Sequence, residues 1–429
     1  MNFENLPDPV VLTEGHSLWS IEKNSFEGSA QITLFVQPRT GIRIICRFKG
    51  LTVEEKFLIS LGPFDEEQTL SFNGQDVPGF RLFVESDEDD LLLHWSPEKS
   101  PLNIELNPSR PLARLEFHLF SFFEIKQPKD QILKLEDHEW EITLRPINDI
   151  SESTKKTRID GICRLTHIGE IKRKDSSLFT TVEVEQQLQL IRYFMALVRG
   201  TWCDPICSLG FDADDKQIWQ SFGAPHHGSN AISSWFDCFH PEQMVTLYPL
   251  FSKKWNSSED WKSCLREVIY WYANANTAGG IPGIDASILL SQAALERLSF
   301  QYSVLDRQLV SVEHFKSSQT RASDKLRLLL STLRIPIAIP SSLHEMHRAA
   351  NTMKWKDGPH AYSDIRNSLV HPDSKHRQER FKCIADGWRL GLWYLELSLL
   401  AVCGYNGSYG SRITRHIYGE VSYVPWNEK

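Results

Sequence analysis

The chain has 429 residues, 41% of them hydrophobic and 24% charged, with a formal net charge of −8. That length accommodates two or three domains, each able to bury a core without metal or disulfide staples, and the balance fits neither a disordered tail nor a membrane protein. The charge is uneven: residues 1–150 carry 14 Lys and Arg against 26 Asp and Glu, and the rest 33 against 29, so the first part is a poor surface for nucleic acid and the second a better one.

The opening MNFENLPDPVV lacks the basic and apolar regions of a secretory signal, which predicts a cytoplasmic protein. From Val10 to about Ile168 apolar residues come in short runs, many with period-two spacing. Candidate strands are 31–36, 42–48, 56–61, 80–85, 90–95, 113–120 and 140–145, separated by Gly62-Pro63, Asn73-Gly74, Pro78-Gly79 and the acidic run 85–90. Seven such strands predict a β-rich, sandwich-like domain over 1–175. Its histidines, His94, His118, His138 and His167, stand singly in strand-like contexts and read as structural.

The period changes near residue 180. Leu188, Ile191, Phe194, Met195 and Val198 recur at three- and four-residue steps, and helical segments follow at about 241–254, 259–273, 284–304, 321–334, 342–355, 359–370 and 376–403. The expected fold class is therefore α+β, with a helical domain over 176–429 and the Ser-, Thr- and Lys-rich stretch 149–180 as junction. The most apolar run, 391–404, is interrupted by Glu396 and is too short to span a bilayer. It predicts a buried core helix and no membrane partner. The loop 276–283 lacks the Gly-Lys-Ser/Thr ending of a phosphate-binding loop.

Eight cysteines are scattered among apolar neighbours and read as reduced core thiols. Cys203 and Cys207 with His226, His227, Cys238 and His240 match neither CxxC nor HExxH spacing, so no metal and no cofactor is expected.

Site-like chemistry concentrates in AYSDIRNSLVHPDSKHR, residues 361–377. With 25 Arg, 15 Asn and 15 His in the chain, an Arg-Asn pair followed by His at this spacing is expected by chance only about 0.03 times. On a helix Asn367 and His371 share a face, and Arg366 lies one position around and reaches the same place. Pro372 disfavours helical torsions at His371, so the helix is expected to end or kink there and present the imidazole at its terminus. A histidine that moves a proton, a guanidinium that steadies charge on phosphorus oxygens and an amide that orients either suit attack by the 2′-hydroxyl of RNA, without a metal. The same residues could instead serve packing, with Arg366 and Asn367 capping or ion-pairing neighbouring helices.

The segment resembles the RNxxxH form of the motif that marks the HEPN superfamily, compact helical bundles that include many ribonucleases of toxin, CRISPR-associated and anti-phage systems. The helix carrying Ala294-Leu295-Glu296 resembles the first helix pair of such domains, and the ending at 404–426 is similar to that of ApeA-type anti-phage defence proteins. The resemblance covers roughly 180–429 and is architectural only for the N-terminal half. It implies an endoribonuclease of anti-phage defence or of a toxin-like abortive-infection response. His371 would be the general acid/base, Arg366 the transition-state stabiliser and Asn367 the orienter. Glu296 and Asp364 are supporting candidates, Tyr362 a weaker one, and Lys375, His376, Arg377 and Arg380 are placed to track an RNA backbone. A homodimer or higher homo-oligomer is implied, silenced by the β-rich sensor domain until a phage-derived trigger arrives. The alternatives are a non-catalytic HEPN module for dimerisation or nucleotide binding, and a carbohydrate- or protein-binding sandwich with an accessory helical domain.

Overall fold

Alternating buried and exposed residues build the first strands, Val10–Ile21 (β1), Asn24–Phe35 (β2) and Gly41–Phe48 (β3). A helix, Val53–Leu61 (α1), follows, then Gln68–Phe72 (β4), Gln75–Asp87 (β5) and Asp90–Pro97 (β6). In this computed structural model, which describes residues 9–21, 24–36, 40–61, 68–87, 89–126, 132–225, 233–278, 283–371 and 377–427, the six strands close a barrel. The order is β1-β2-β3-β6-β5-β4 and every pairing is antiparallel. Asn73 and Gly74 both take positive φ, as the tight β4–β5 hairpin turn requires. The lumen is filled by Trp19, Ile32, Ile44, Phe48, Leu70, Phe72 and Trp95, all fully buried, so the barrel is a packed core.

Two expectations are corrected here. The sandwich-like domain contains a closed barrel, in which β1 pairs with β4 across about fifty residues of sequence. The run 56–61 lies in α1, because Thr52 and Glu55 form a reciprocal capping box: the Glu55 amide donates to Thr52 Oγ1 at 3.2 Å and the Thr52 amide to Glu55 Oε2 at 2.8 Å.

Next come Leu102–Glu105 (β7), Arg114–Phe120 (β8), Leu133–Glu136 (β9), Trp140–Pro146 (β10), Ile150–Asp160 (α2) and Leu165–Arg173 (β11). Helix Thr181–Arg199 (α3) starts at a second capping box, Thr180 with Glu183, and precedes Ile206–Phe211 (β12) and Gln217–Phe222 (β13). These last two strands fall where only helices are expected. The chain is α+β, but it divides into two compact units that alternate along it. One comprises Met1–Ser121, Pro146–Val184 and Asp204–Gly228, the other Phe122–Arg145, Glu185–Cys203 and Ser229–Lys429. A single boundary at 175/176 does not describe this division.

The first unit holds the barrel and the antiparallel strands β7-β13-β12-β8-β11. Its buried histidines are structural. His118 Nδ1 lies 2.9 Å from the Cys207 carbonyl, and burial pushes His167 down to about 3, which keeps it neutral.

The second unit contains the β9–β10 hairpin, most of α3, and Glu242–Trp255 (α4), Glu259–Ala278 (α5), Ile284–Phe300 (α6), Val312–Lys316 (α7), Ala322–Thr332 (α8), His344–Met353 (α9), Gly358–Val370 (α10), Arg377–Lys382 (α11) and Ile384–Val402 (α12). A π-helical turn, Gln301–Asp306, extends α6. Helix α6 packs against α5, α8, α10 and α12. Apolar helix α12 is buried, as its sequence predicts, and Glu396 in its middle is 1% exposed. That carboxylate accepts from Tyr272 Oη at 2.5 Å and from Arg412 Nε at 3.0 Å, while Arg412 Nη2 also donates to the Ser233 carbonyl at 2.7 Å. Arg415 beside Asp237, which also accepts from the Gly419 amide at 2.8 Å, ties down the rest of the tail. Among the described residues no helix is long and apolar enough to cross a membrane.

Candidate functional site

Helix α10 is set at its start by Asp357, which accepts from the His360 amide at 2.9 Å and is gripped by Arg327 Nε at 2.6 Å. Burial works to raise this carboxyl, but Arg327 and the His360 amide outweigh it and hold it below the usual range. The rotation of the helix is set by Tyr362. Its hydroxyl lies 2.7 Å from Ser291 Oγ and donates to the Ile288 carbonyl at 3.0 Å, both on α6. Burial raises the Tyr362 pKa, so the group stays a neutral donor. Its ring occupies the space over Gly391 of α12, where a Cβ would fall 2.5 Å from it.

One turn further on, Arg366 is half-buried. Its Nη1 donates to Asn367 Oδ1 at 3.2 Å, and its Nε is buried with no acceptor. Among the described residues no carboxylate lies within ion-pair distance of it. Asn367 is exposed. The helix ends at His371, whose backbone is extended (φ −119°, ψ 97°), whose amide donates to the Asn367 carbonyl at 2.9 Å and whose side chain is exposed. The imidazole therefore stands at a helix terminus, as expected. Pro372, invoked for that ending, lies outside the described residues.

The supporting candidates are distributed differently from expectation. Glu296 on α6 receives Lys325 Nζ at 2.9 Å and makes no contact with Arg366. Asp364 accepts from Trp355 Nε1 at 2.8 Å and from Arg380 at 2.7 and 3.1 Å, which staples α11 to α10. Arg380 is thus engaged with a carboxylate. Lys375 and His376 lie outside the described residues, and Arg377 is described only as the first residue of α11.

Sequence reasoning missed the Asp364–Arg380 staple and the Glu396–Arg412–Tyr272 cluster. Only the second had a signal, since an acid inside a 14-residue apolar run must find a buried partner. Among the described residues no three His, Cys, Asp or Glu side chains could hold a metal ion. His226 and His227 lie outside them, and His240 is held by Glu242 and the Gly419 carbonyl.

Arg366, Asn367 and the terminal His371 thus place a guanidinium, an amide and an imidazole along the end of one helix of this helical module. Residues 258–423 match the YopA C-terminal domain and residues 107–233 the YopA central domain. The chain is 30% identical over 307 residues to the SPbeta prophage-derived uncharacterized protein YopA of Bacillus subtilis (strain 168), a match covering 69% of this chain and 66% of that protein, a little under two thirds. No solved structure matches the chain.

Proposed function

We propose that the helical unit is a HEPN-type, metal-independent endoribonuclease with Arg366, Asn367 and His371 as its site. The observation that carries the reading is the state of Arg366: half-buried, with no carboxylate partner among the described residues, and placed one turn before an exposed terminal imidazole. A cation left unneutralised next to a titratable base is suited to a substrate anion. In the reaction a 2′-hydroxyl loses its proton to an imidazole and its oxygen attacks the adjacent phosphorus. The bond to the 5′-oxygen breaks, that oxygen takes up a proton, and a 2′,3′-cyclic phosphate and a 5′-hydroxyl remain. Arg366 offsets the charge growing on the phosphorus oxygens, and Asn367 holds the guanidinium in place. One imidazole cannot stand on both sides of the phosphorus at once, so two copies of the chain would supply base and acid across a shared cleft. The prophage origin of the relative suits a role in conflict between phage and host, with the first unit as sensor or restraint.

Purified protein incubated with total RNA and with a structured tRNA in EDTA is expected to yield fragments ending in cyclic phosphate. His371→Ala should yield none. Cleavage persisting undiminished in His371→Ala would overturn the assignment.

A further inference from the structure

Away from α10, the helical unit gathers a second set of aromatic and basic side chains that runs from the core to the surface. At the end of α3, Tyr193 meets Trp202 edge-on with ring centroids 5.6 Å apart, and it meets Trp255 of α4 at 5.3 Å. Trp202 lies 6.1 Å from Tyr270 of α5, and the guanidinium of Arg192 covers its face at 4.9 Å. Trp255 is the buried anchor of this chain of rings, Tyr193 and Trp202 are half-buried, and Tyr270 is open, with 51% of its surface exposed. Arg266, one helical turn before Tyr270, is exposed and has no carboxylate partner among the described residues. Glu267 beside it in sequence is already taken by Arg297 Nε at 2.8 Å.

An aromatic ladder that ends in an open ring, with a guanidinium on each side, has the chemistry that single-stranded nucleic acid recognises. Bases stack on the rings and phosphates meet the cations. Tyr270 is uncovered, and Arg266 beside it on the helix is exposed without a carboxylate partner among the described residues. We infer that Arg192, Trp202, Arg266 and Tyr270 form a binding surface for single-stranded RNA, distinct from the α10 site. The choice of RNA as ligand rests on the ribonuclease reading. The surface holds an unpaired strand by stacking and backbone charge, with little dependence on base sequence.

The test uses the full chain carrying His371→Ala, so that bound RNA is not consumed, and follows the anisotropy of a fluorescein-labelled oligouridine across a salt series. Tyr270→Ala is expected to weaken binding about tenfold through the lost stack. Arg266→Gln should lower the slope of log affinity against log salt by about 0.7. Both side chains are exposed, so thermal melting should confirm that the variants are folded. Binding as tight as the parent's in both variants, or a parent that does not bind, overturns the surface. The two readings fail separately. Oligouridine held through Tyr270 by a chain whose wild type cuts no RNA would overturn the ribonuclease alone, whereas cleavage with no effect of Tyr270→Ala on binding would overturn this surface alone.

Discussion

Arg412 and Arg366 belong to the same helical unit and stand in opposite conditions. Arg412 is sunk beside Glu396 and Tyr272, its charge matched, its Nη2 also donating to the Ser233 carbonyl, and its pKa raised because the carboxylate outweighs the cost of burial. Arg366 is half-buried, donates to the Asn367 side chain and, among the described residues, keeps one N–H without an acceptor. A guanidinium committed to architecture is saturated by its neighbours. One that keeps a spare N–H among the described residues is the premise on which the proposed site rests.

The comparison can be broken in four places. The largest effect is expected at the saturated site. Arg412→Leu strands the Glu396 carboxylate in the core and should cost about 3–5 kcal/mol in urea denaturation; a loss no greater than that of a surface substitution would show the pair to be dispensable. Asp364→Ala releases Arg380 and Trp355 together and should cost about 1–3 kcal/mol, with faster hydrogen exchange in α11 than in α12. Arg366→Ala, by contrast, removes a group with no ion-pair partner among the described residues and should change stability by no more than about 0.5 kcal/mol while abolishing RNA cleavage; a stability loss as large as that of Asp364→Ala would make Arg366 architectural after all. The smallest effect concerns the tail held by the Asp237 and Glu396 clusters. At His240, burial works against the charge, but Glu242 at Nδ1 and the Gly419 carbonyl at Nε2 outweigh it and raise the pKa above the ordinary 6.5. The stability this contributes is fully present below 6.5 and is lost as pH rises through the raised value. The melting temperature should therefore fall slightly across that interval, and His240→Asn should flatten the dependence.

Much of this was legible in the sequence, and the failures have physical reasons. Strands β2, β3, β5, β6, β8 and β10 announce themselves by alternation, because each buries one face. Helix α1 was mistaken for a strand because KFLISL is apolar without a clear period, although the Thr52-Glu55 capping box stood just upstream. Strands β12 and β13 were lost among helices because their residues are nearly all buried, which removes the alternation that marks a strand. Closure of the barrel through β1 and β4 is a pairing distant in sequence, and no local pattern encodes it. At the site, rarity and spacing exposed Arg366, Asn367 and His371, and the helix-breaking Pro372 anticipated the terminal position of the imidazole. That Asp364 would seize Arg380 could not be read, since which acid meets which base across a turn depends on the angle between α10 and α11.

The alternation of the two units along the chain has a consequence for how the molecule can be taken apart. Ser252 Oγ and Tyr248 Oη on α4 both donate to Asp137, which sits in the β9–β10 hairpin more than a hundred positions earlier. A protease cutting once near residue 175 would leave the helical unit without its hairpin, and the barrel unit without β12 and β13. Neither unit is a continuous stretch of chain, so no single scission yields either of them as one complete fragment.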